Sequence, residues 1–197
     1  MSRMPTWGLI TAAAAPILLV AGWTIAARAQ PGDFDSTTQT ISALAGADAT
    51  HPWVMTSALV AVGVSQIGTA IALRPVPRAG RIVLAAGGVF TLLVAANPLP
   101  PAGQSAPVHG IVAAGSFAAL AIWPLASWTR GTVSPWTLRP AVALTAGTAL
   151  VMATGWFFAS VLTDAQKVGL AERSAAVVLN LWPLAVATSV WRVQRRR

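Results

Sequence analysis

The side chains able to do acid–base or metal chemistry are few in this sequence. They are His51, His109 and five acidic residues, since the chain has no cysteine. Two imidazoles and a carboxylate could form a zinc site, and one imidazole with a carboxylate could act as a general acid–base pair. Neither H-E-x-x-H nor G-x-S-x-G occurs. The sequence therefore offers candidate residues without a known catalytic arrangement, and it points to no cofactor.

The strongest catalytic candidates are His109, Asp35 and Glu172, with the imidazole as general base. The alternative for His109 is structural, because a histidine near a helix start often hydrogen-bonds a loop carbonyl. His51 could join His109 as a metal ligand, or it could be an interfacial residue before Pro52.

A wider candidate binding set consists of polar residues expected at one end of the fold. Its members are Asp33, Asp35, Gln39, Ser42, His109, Glu172 and Arg173. Asp33 and Asp35 could bind a cation, or they could favour the positive end of a following helix. Glu172 and Arg173 could instead fasten a loop by pairing with Asp35 or Gln39, since Arg–carboxylate contacts are strong when desolvated.

Several of these residues belong to the only long polar segment, residues 31–52. Ser36, with Gln39 three positions later, fits a capping box, in which two side chains satisfy the free N–H groups of a helix start. The apolar residues that follow fall on one helical face, and Gly46 is a plausible end. The pattern predicts a short amphipathic helix over Ser36–Ala45, lying on the membrane surface or folded over a bundle.

The remainder of the chain has the composition of a membrane protein. It is 55% hydrophobic and 9% charged, whereas soluble domains carry about 25% charged residues. A helix of about 20 apolar residues spans the roughly 30 Å bilayer core. Six such spans are predicted, at residues 7–27, 53–73, 82–99, 108–128, 141–163 and 174–191. The sequence thus predicts an all-α, polytopic membrane bundle, in one domain over residues 1–197.

The first span raises the question of a signal peptide. Ala27-Arg28-Ala29-Gln30 follows it and could be read as a cleavage site. The apolar run is longer than the usual signal-peptide core of about 7–15 residues. We therefore predict an uncleaved first helix, with cleavage as the alternative.

The distribution of arginine predicts orientation. Ten arginines fall at the termini and in the second and fourth connections: Arg3, Arg74, Arg78, Arg81, Arg130, Arg139, Arg192, Arg195, Arg196 and Arg197. The other side holds only Arg28, Lys167 and Arg173, with all five acids. By the positive-inside rule both termini are cytoplasmic, and the protein is a multi-pass protein of the plasma membrane. Since the arginines flank apolar runs, the net charge of +8 does not indicate nucleic-acid binding.

The spans themselves are free of central charges and rich in small residues. A charge at mid-membrane costs about 2.5–3.5 kcal/mol on insertion scales, so its absence argues against a proton relay or voltage sensor. Small residues let helices approach closely. The glycines expected to do so are Gly63, Gly68, Gly87, Gly88, Gly110, Gly115, Gly147 and Gly155. No internal repeat of the kind common in transporters is evident.

Three motifs carry a family resemblance: Thr38-Gln39-Thr40-Ile41-Ser42-Ala43-Leu44 after the first span, His109-Gly110 at the fourth, and Gly169-Leu170-Ala171-Glu172-Arg173 before the sixth. With them the chain resembles the bacterial integral-membrane family called domain of unknown function 998. It is more distantly similar to the Frag1, DRAM and Sfk1 membrane proteins. The resemblance implies a six-helix bundle and no particular reaction.

Three functions remain open from the sequence. The first is a non-catalytic protein whose outward-facing polar pocket binds a lipid or small envelope molecule, or which scaffolds partners. The second is a membrane enzyme acting on lipid or glycolipid head groups. The third is a small transporter. Expected partners are membrane lipids, with another membrane protein or a second copy of the chain as further partners.

Overall fold

The computed structural model describes residues 3–32, 34–131 and 134–196. These residues form six long helices: α1 (Trp7–Arg28), α2 (Trp53–Ala72), α3 (Arg78–Ala96), α4 (Pro107–Ile122), α5 (Pro140–Leu162) and α6 (Val168–Arg195). Short 3₁₀ helices cover Ser42–Ala45, Trp123–Ala126 and Trp136–Leu138. The six helices are long and apolar enough to cross a membrane, the fourth together with the 3₁₀ turn that extends it. The predicted all-α bundle of six spans is confirmed.

The helices form a closed ring with α6 as its most buried member. Helices adjacent in the chain pack together, α6 packs on α1, and α6 also contacts α2 and α4. Half of the residues in the apolar 18-residue stretch of α6 are buried, against 28% in the corresponding stretch of α5. Arg3 donates a hydrogen bond to the Gln194 carbonyl at 3.3 Å, so the two termini lie together. We call that end the terminal end, and the opposite one the loop end.

Close helix crossings depend on glycine. Added to Gly63 of α2, a Cβ would lie 2.8 Å from the Gly88 carbonyl oxygen of α3, and the reverse substitution would meet the Gly63 carbonyl at 2.8 Å. The expected close contacts occur at Gly63, Gly68, Gly87, Gly88, Gly115 and Gly147. The expectation is wrong for Gly110 and Gly155, which face open space. Most of these close contacts lie between the first four helices, so small residues set the spacing of those helices.

Two helix starts differ from the sequence prediction. Helix α6 begins at Val168 rather than at Ser174, and α3 begins at Arg78 rather than at Ile82. The prediction ends each span at its charged residues, whereas the helices carry Arg81 and Arg173 in their first turns, where backbone carbonyls accept hydrogen bonds from them. Glu172 and Arg173 therefore belong to α6 itself.

The first loop contributes to the core at the loop end. Leu44 is fully buried there, with Ile41 beside it, in a cluster that includes Leu19 of α1 and Met55 of α2. A second cluster at the terminal end surrounds the fully buried Trp123. Because the loop supplies core side chains, its position is determined by apolar burial as well as by hydrogen bonds.

The glycine crossing gives a stability test. Gly63→Ala should lower the thermal unfolding temperature in detergent, because its Cβ meets a backbone carbonyl that moves only with α3; overpacking costs about 1–3 kcal/mol. Gly155→Ala, in open space on α5, is the matched control and should leave that temperature unchanged or slightly higher. Equal effects of the two substitutions would contradict the glycine-dependent crossing.

Candidate functional site

The candidate site begins where the first turns of α6 meet residues 36–42 of the first loop. Gly169 permits this approach, since a Cβ there would overlap the carbonyl oxygen of Gln39. Next to it, the Leu170 N–H donates to the Thr37 carbonyl at 2.9 Å. We call this set of contacts, together with those of Glu172 and Arg173, the loop contact.

Glu172 is 3% exposed and binds the loop through its carboxylate. One carboxylate oxygen accepts a short hydrogen bond from the Ile41 backbone N–H. The other accepts a hydrogen bond from the Ser42 hydroxyl at 3.1 Å. The acidic side chain thus holds the loop residues that enter the 3₁₀ helix Ser42–Ala45.

Arg173 is 9% exposed and holds the preceding residues of the loop. Its Nη1 donates to the carbonyls of Ser36 at 2.7 Å and Gln39 at 2.6 Å. Nε and Nη2 are buried and have no hydrogen-bond partner among the described residues. The rings of Trp23 and Phe34 each lie 5.9 Å from Cζ, within cation–π range. The guanidinium is therefore held between loop carbonyls and two aromatic rings.

These contacts confirm the prediction that Glu172 and Arg173 fasten the loop, and they specify how. Gln39 takes part through its backbone carbonyl. No hydrogen bond or ion pair joins either residue to Asp35 among the residues that the structure describes. The expected Arg–carboxylate pair is thus replaced by bonds from α6 side chains to loop backbone groups.

The same contacts explain why the predicted Ser36–Ala45 helix is wrong in its first half. The Ile41 N–H is bound to Glu172 and the Thr37 carbonyl to the Leu170 N–H, so these two groups do not form the i→i−4 bond of a helix. Arg173 meanwhile holds the carbonyls of Ser36 and Gln39 against α6. Only Ser42–Ala45 is helical, as a 3₁₀ turn.

The predicted capping box is also absent, and Asp35 orders this turn instead. Its carboxylate accepts hydrogen bonds from the Thr37 backbone N–H at 2.8 Å and from the Thr37 hydroxyl at 2.7 Å. These bonds hold the pKa of the exposed Asp35 carboxyl below its usual value.

Further hydrogen bonds hold the ends of the loop. The Gln30 side-chain amide donates to the Thr50 carbonyl at 3.0 Å and accepts from the Thr50 N–H at 2.9 Å. Asp48 accepts from the Ala102 N–H at 2.7 Å, which ties the loop to the α3–α4 connection. The first loop is therefore a fixed cover over the loop end of the bundle.

A cavity of about 60 Å³ lies beneath this cover, inside the helix ring. Ile41, Ser42 and Glu172 line one part of it, and most of its wall is apolar. Gln66, Thr91, Ser116 and Asn180 line another part. On α6, Glu172, Ala176 and Asn180 repeat every four residues, which places them on one helix face.

The four deeper polar residues form a connected network. Gln66 Nε2 donates to Asn180 Oδ1 at 2.9 Å, and Thr91 Oγ1 lies 3.0 Å from Gln66 Oε1 and 2.8 Å from Ser116 Oγ. Gln66 and Asn180 are 2% and 4% exposed. Gln66 is the most polar residue of α2, and none of the four was among the predicted site residues. The repeat of Glu172, Ala176 and Asn180 at four-residue intervals is the sequence signal that places Asn180 on the helix face of Glu172.

The two histidines lie elsewhere. His109 Nδ1 lies 2.7 Å from the Asn97 carbonyl oxygen, so this nitrogen carries the proton, as the structural interpretation of His109 predicts. It borders a groove along the α3–α4 connection rather than the cavity. His51 is exposed, with a left-handed φ of 56°. Among the described residues, no three His, Asp or Glu side chains are grouped to hold a metal ion.

The structure therefore does not bring the three catalytic candidates together. Glu172 lines the cavity, His109 borders a separate groove, and Asp35 is exposed on the first loop. Of the predicted binding residues, only Ser42 and Glu172 line the cavity, while Gln39 and Arg173 belong to the loop contact. Asp33 lies outside the described residues.

The fold and this site define a multi-pass helical membrane protein with a covered interior cavity. The chain belongs to the family described as Protein of unknown function (DUF998), whose profile matches residues 13–189. The match runs from within α1 to within α6, and so includes the loop contact and the polar network. Comparisons with curated proteins and with solved structures give no match.

The loop contact can be tested by hydrogen exchange. Arg173→Ala should speed the exchange of backbone amides in residues 36–42 at least about tenfold, since hydrogen bonds to charged groups contribute about 1.5–3 kcal/mol each. Arg28→Ala, which removes an exposed cation at the same end, is the control and should leave that exchange unchanged. Equal protection in Arg173→Ala and the unmodified protein would show that Arg173 does not hold the loop.

Proposed function

We propose that this membrane protein binds a small ligand, without chemical change, in the cavity beneath its first loop. The observation that carries the proposal is the covered cavity itself, with a carboxylate in one part and a side-chain amide network in another. A closed apolar interior would need none of these groups for stability. Their presence in one cavity is what a site for a small, partly polar molecule requires.

The hydrogen-bonding capacity of the lining supports this proposal. A side-chain amide has two N–H donors, and in both Gln66 and Asn180 one of them is engaged. Glu172 likewise has acceptor capacity beyond its two loop bonds. Buried polar groups are stable when they are paired. A ligand or ordered water in the cavity supplies the missing partners.

The cavity volume limits the ligand. A cavity needs a volume of about 10–15 Å³ to hold one water molecule. A cavity of about 60 Å³ therefore accepts only a few heavy atoms. The ligand is therefore a small envelope molecule or the end of a lipid head group, not a whole lipid. Since Ile41 and Ser42 line the cavity and are bound to Glu172, release of the loop contact would widen the cavity at the loop end.

The two other functions have less support. An enzyme using His109 would need the imidazole beside Glu172 or Asp35, and the three lie apart. A transporter would need the polar path to continue toward the terminal end. There the described residues form an apolar cluster around Trp123, Leu84 and Val186. Scaffolding remains compatible with binding, because α5 exposes large apolar side chains to lipid or a membrane partner.

The proposal includes an orientation in the plasma membrane, with the loop end outside and both termini cytoplasmic. It is supported by the positive-inside rule. The described arginines of the terminal end are Arg3, Arg74, Arg78, Arg81, Arg130, Arg139, Arg192, Arg195 and Arg196. The first loop and its cavity would then face the envelope.

Reporter fusions test this orientation. A fusion at Gly103, in the α3–α4 connection, should report the outside, and one at Gly131, in the α4–α5 connection, should report the cytoplasm. The reason is that the arginine excess resists translocation. The opposite pair of signals would overturn the orientation.

A pair of matched leucine substitutions on α4 tests the cavity. Ala113 lines it, so Ala113→Leu fills it, whereas Ala118 is exposed and Ala118→Leu adds the same side chain outside. Thermal unfolding is followed with a panel of small neutral, anionic and cationic molecules. At least one molecule should stabilise the unmodified protein and Ala118→Leu, but not Ala113→Leu. If no molecule distinguishes the two variants, the cavity is not a binding site.

A further inference from the structure

The geometry points to a primary ammonium group as the part of the ligand that enters this cavity, held by the Glu172 carboxylate. This inference rests on the proposed function and names its ligand chemistry. The group is either that of a small free amine or the ammonium end of a lipid head group.

The charge of the lining is the first argument. Glu172 is the one ionisable side chain among the residues that line the cavity, and it is 3% exposed. Its neighbour Arg173 attracts it electrostatically, but the described hydrogen bonds of the guanidinium go to backbone carbonyls and not to the carboxylate. Buried charges are normally paired. A cation in the cavity would bind the carboxylate directly, whereas the carboxylate would repel an anion there.

The hydrogen-bonding pattern is the second argument. A carboxylate offers about four acceptor sites, and the Ile41 N–H and Ser42 hydroxyl engage two of them. The Ser42 oxygen is a further acceptor beside it. An ammonium group brings three N–H donors, so it can bind the carboxylate and this hydroxyl together. The loop would then contact the ligand directly through Ser42.

The remaining wall is the third argument. Phe117 lines the cavity, and an aromatic face attracts a cation. Leu59 and Val62 belong to the same lining and suit the carbon chain of an amine. A bare alkali ion would need several oxygen ligands at once, whereas Glu172 and Asn180, in the two polar parts of the lining, are about 12 Å apart along α6 at 1.5 Å per residue. The lining therefore fits an organic cation better than an inorganic one.

The test uses the full chain in nanodiscs of phosphatidylcholine, with unfolding followed by tryptophan fluorescence. Methylammonium chloride is compared with sodium chloride at equal ionic strength. Methylammonium should raise the unfolding temperature of the unmodified protein, and Glu172→Gln should weaken its apparent affinity at least tenfold. Asp164→Asn is the matched control, because Asp164 is an exposed carboxylate at the same end whose φ of 48° asparagine tolerates. It should respond like the unmodified protein.

A second experiment, in which the nanodisc lipid is changed, distinguishes the two sources of the ammonium group. Replacing part of the phosphatidylcholine by phosphatidylethanolamine should stabilise the unmodified protein, but not Glu172→Gln, when the lipid head group is the ligand. Stabilisation by methylammonium without this lipid effect assigns the site to a free amine. Should Glu172→Gln fail to fold, Ala113→Leu and Ala118→Leu replace it, and the methylammonium response should persist only in Ala118→Leu.

The outcomes that overturn the inference are distinct from those that overturn the proposed function. If methylammonium acts like sodium chloride while a neutral molecule stabilises Ala118→Leu and not Ala113→Leu, the ligand is not a cation and the cavity is still a binding site. If methylammonium raises the unfolding temperature of Glu172→Gln as much as that of the unmodified protein, the inference is also contradicted. If no molecule separates the leucine variants, both proposals fail.

Discussion

The contact between the first turns of α6 and the backbone of residues 36–42 is the constraint on which the loop end depends. Glu172 and Arg173 are charged, yet both are almost completely buried. Burial of a charge is costly unless hydrogen bonds compensate it, and here backbone N–H and carbonyl groups of the loop supply part of that compensation. Most of residues 36–42 are in turn non-helical, because their backbone groups bind α6. Neither partner would be stable in this conformation alone.

The cavity follows from the same contact. Because the loop is bound to one face of α6, its residues Ile41 and Ser42 lie over the interior of the ring without filling it. Deeper in the ring, Gln66 and Asn180 bind each other across α2 and α6. Polar side chains between membrane helices contribute on the order of 0.6–2 kcal/mol per bond. The network therefore stabilises the bundle, and it uses one of the two N–H donors of each amide.

The six helices could be predicted from sequence because long uncharged runs have one stable solution in a bilayer. The helix starts at Val168 and Arg78 could not, since charge alone does not mark a boundary when partners lie in a distant segment. The same holds for the loop: Ser36 and Gln39 fit a capping box locally, but Arg173 competes for their carbonyls. Fastening by Glu172 and Arg173 was predictable from charge, whereas the cavity and its network depend on helix packing that no single span encodes.

The sequence separation of the loop contact has a consequence for biosynthesis. Ile41 and Glu172 are 131 positions apart, and α6 is the last of the described helices to be made. The loop between α1 and α2 is therefore exposed while four further helices are inserted, with the backbone groups of Ser36, Gln39 and Ile41 solvated. Insertion of α6 closes the ring and orders the loop in one event. The contact thus forms only after all six described helices have been made.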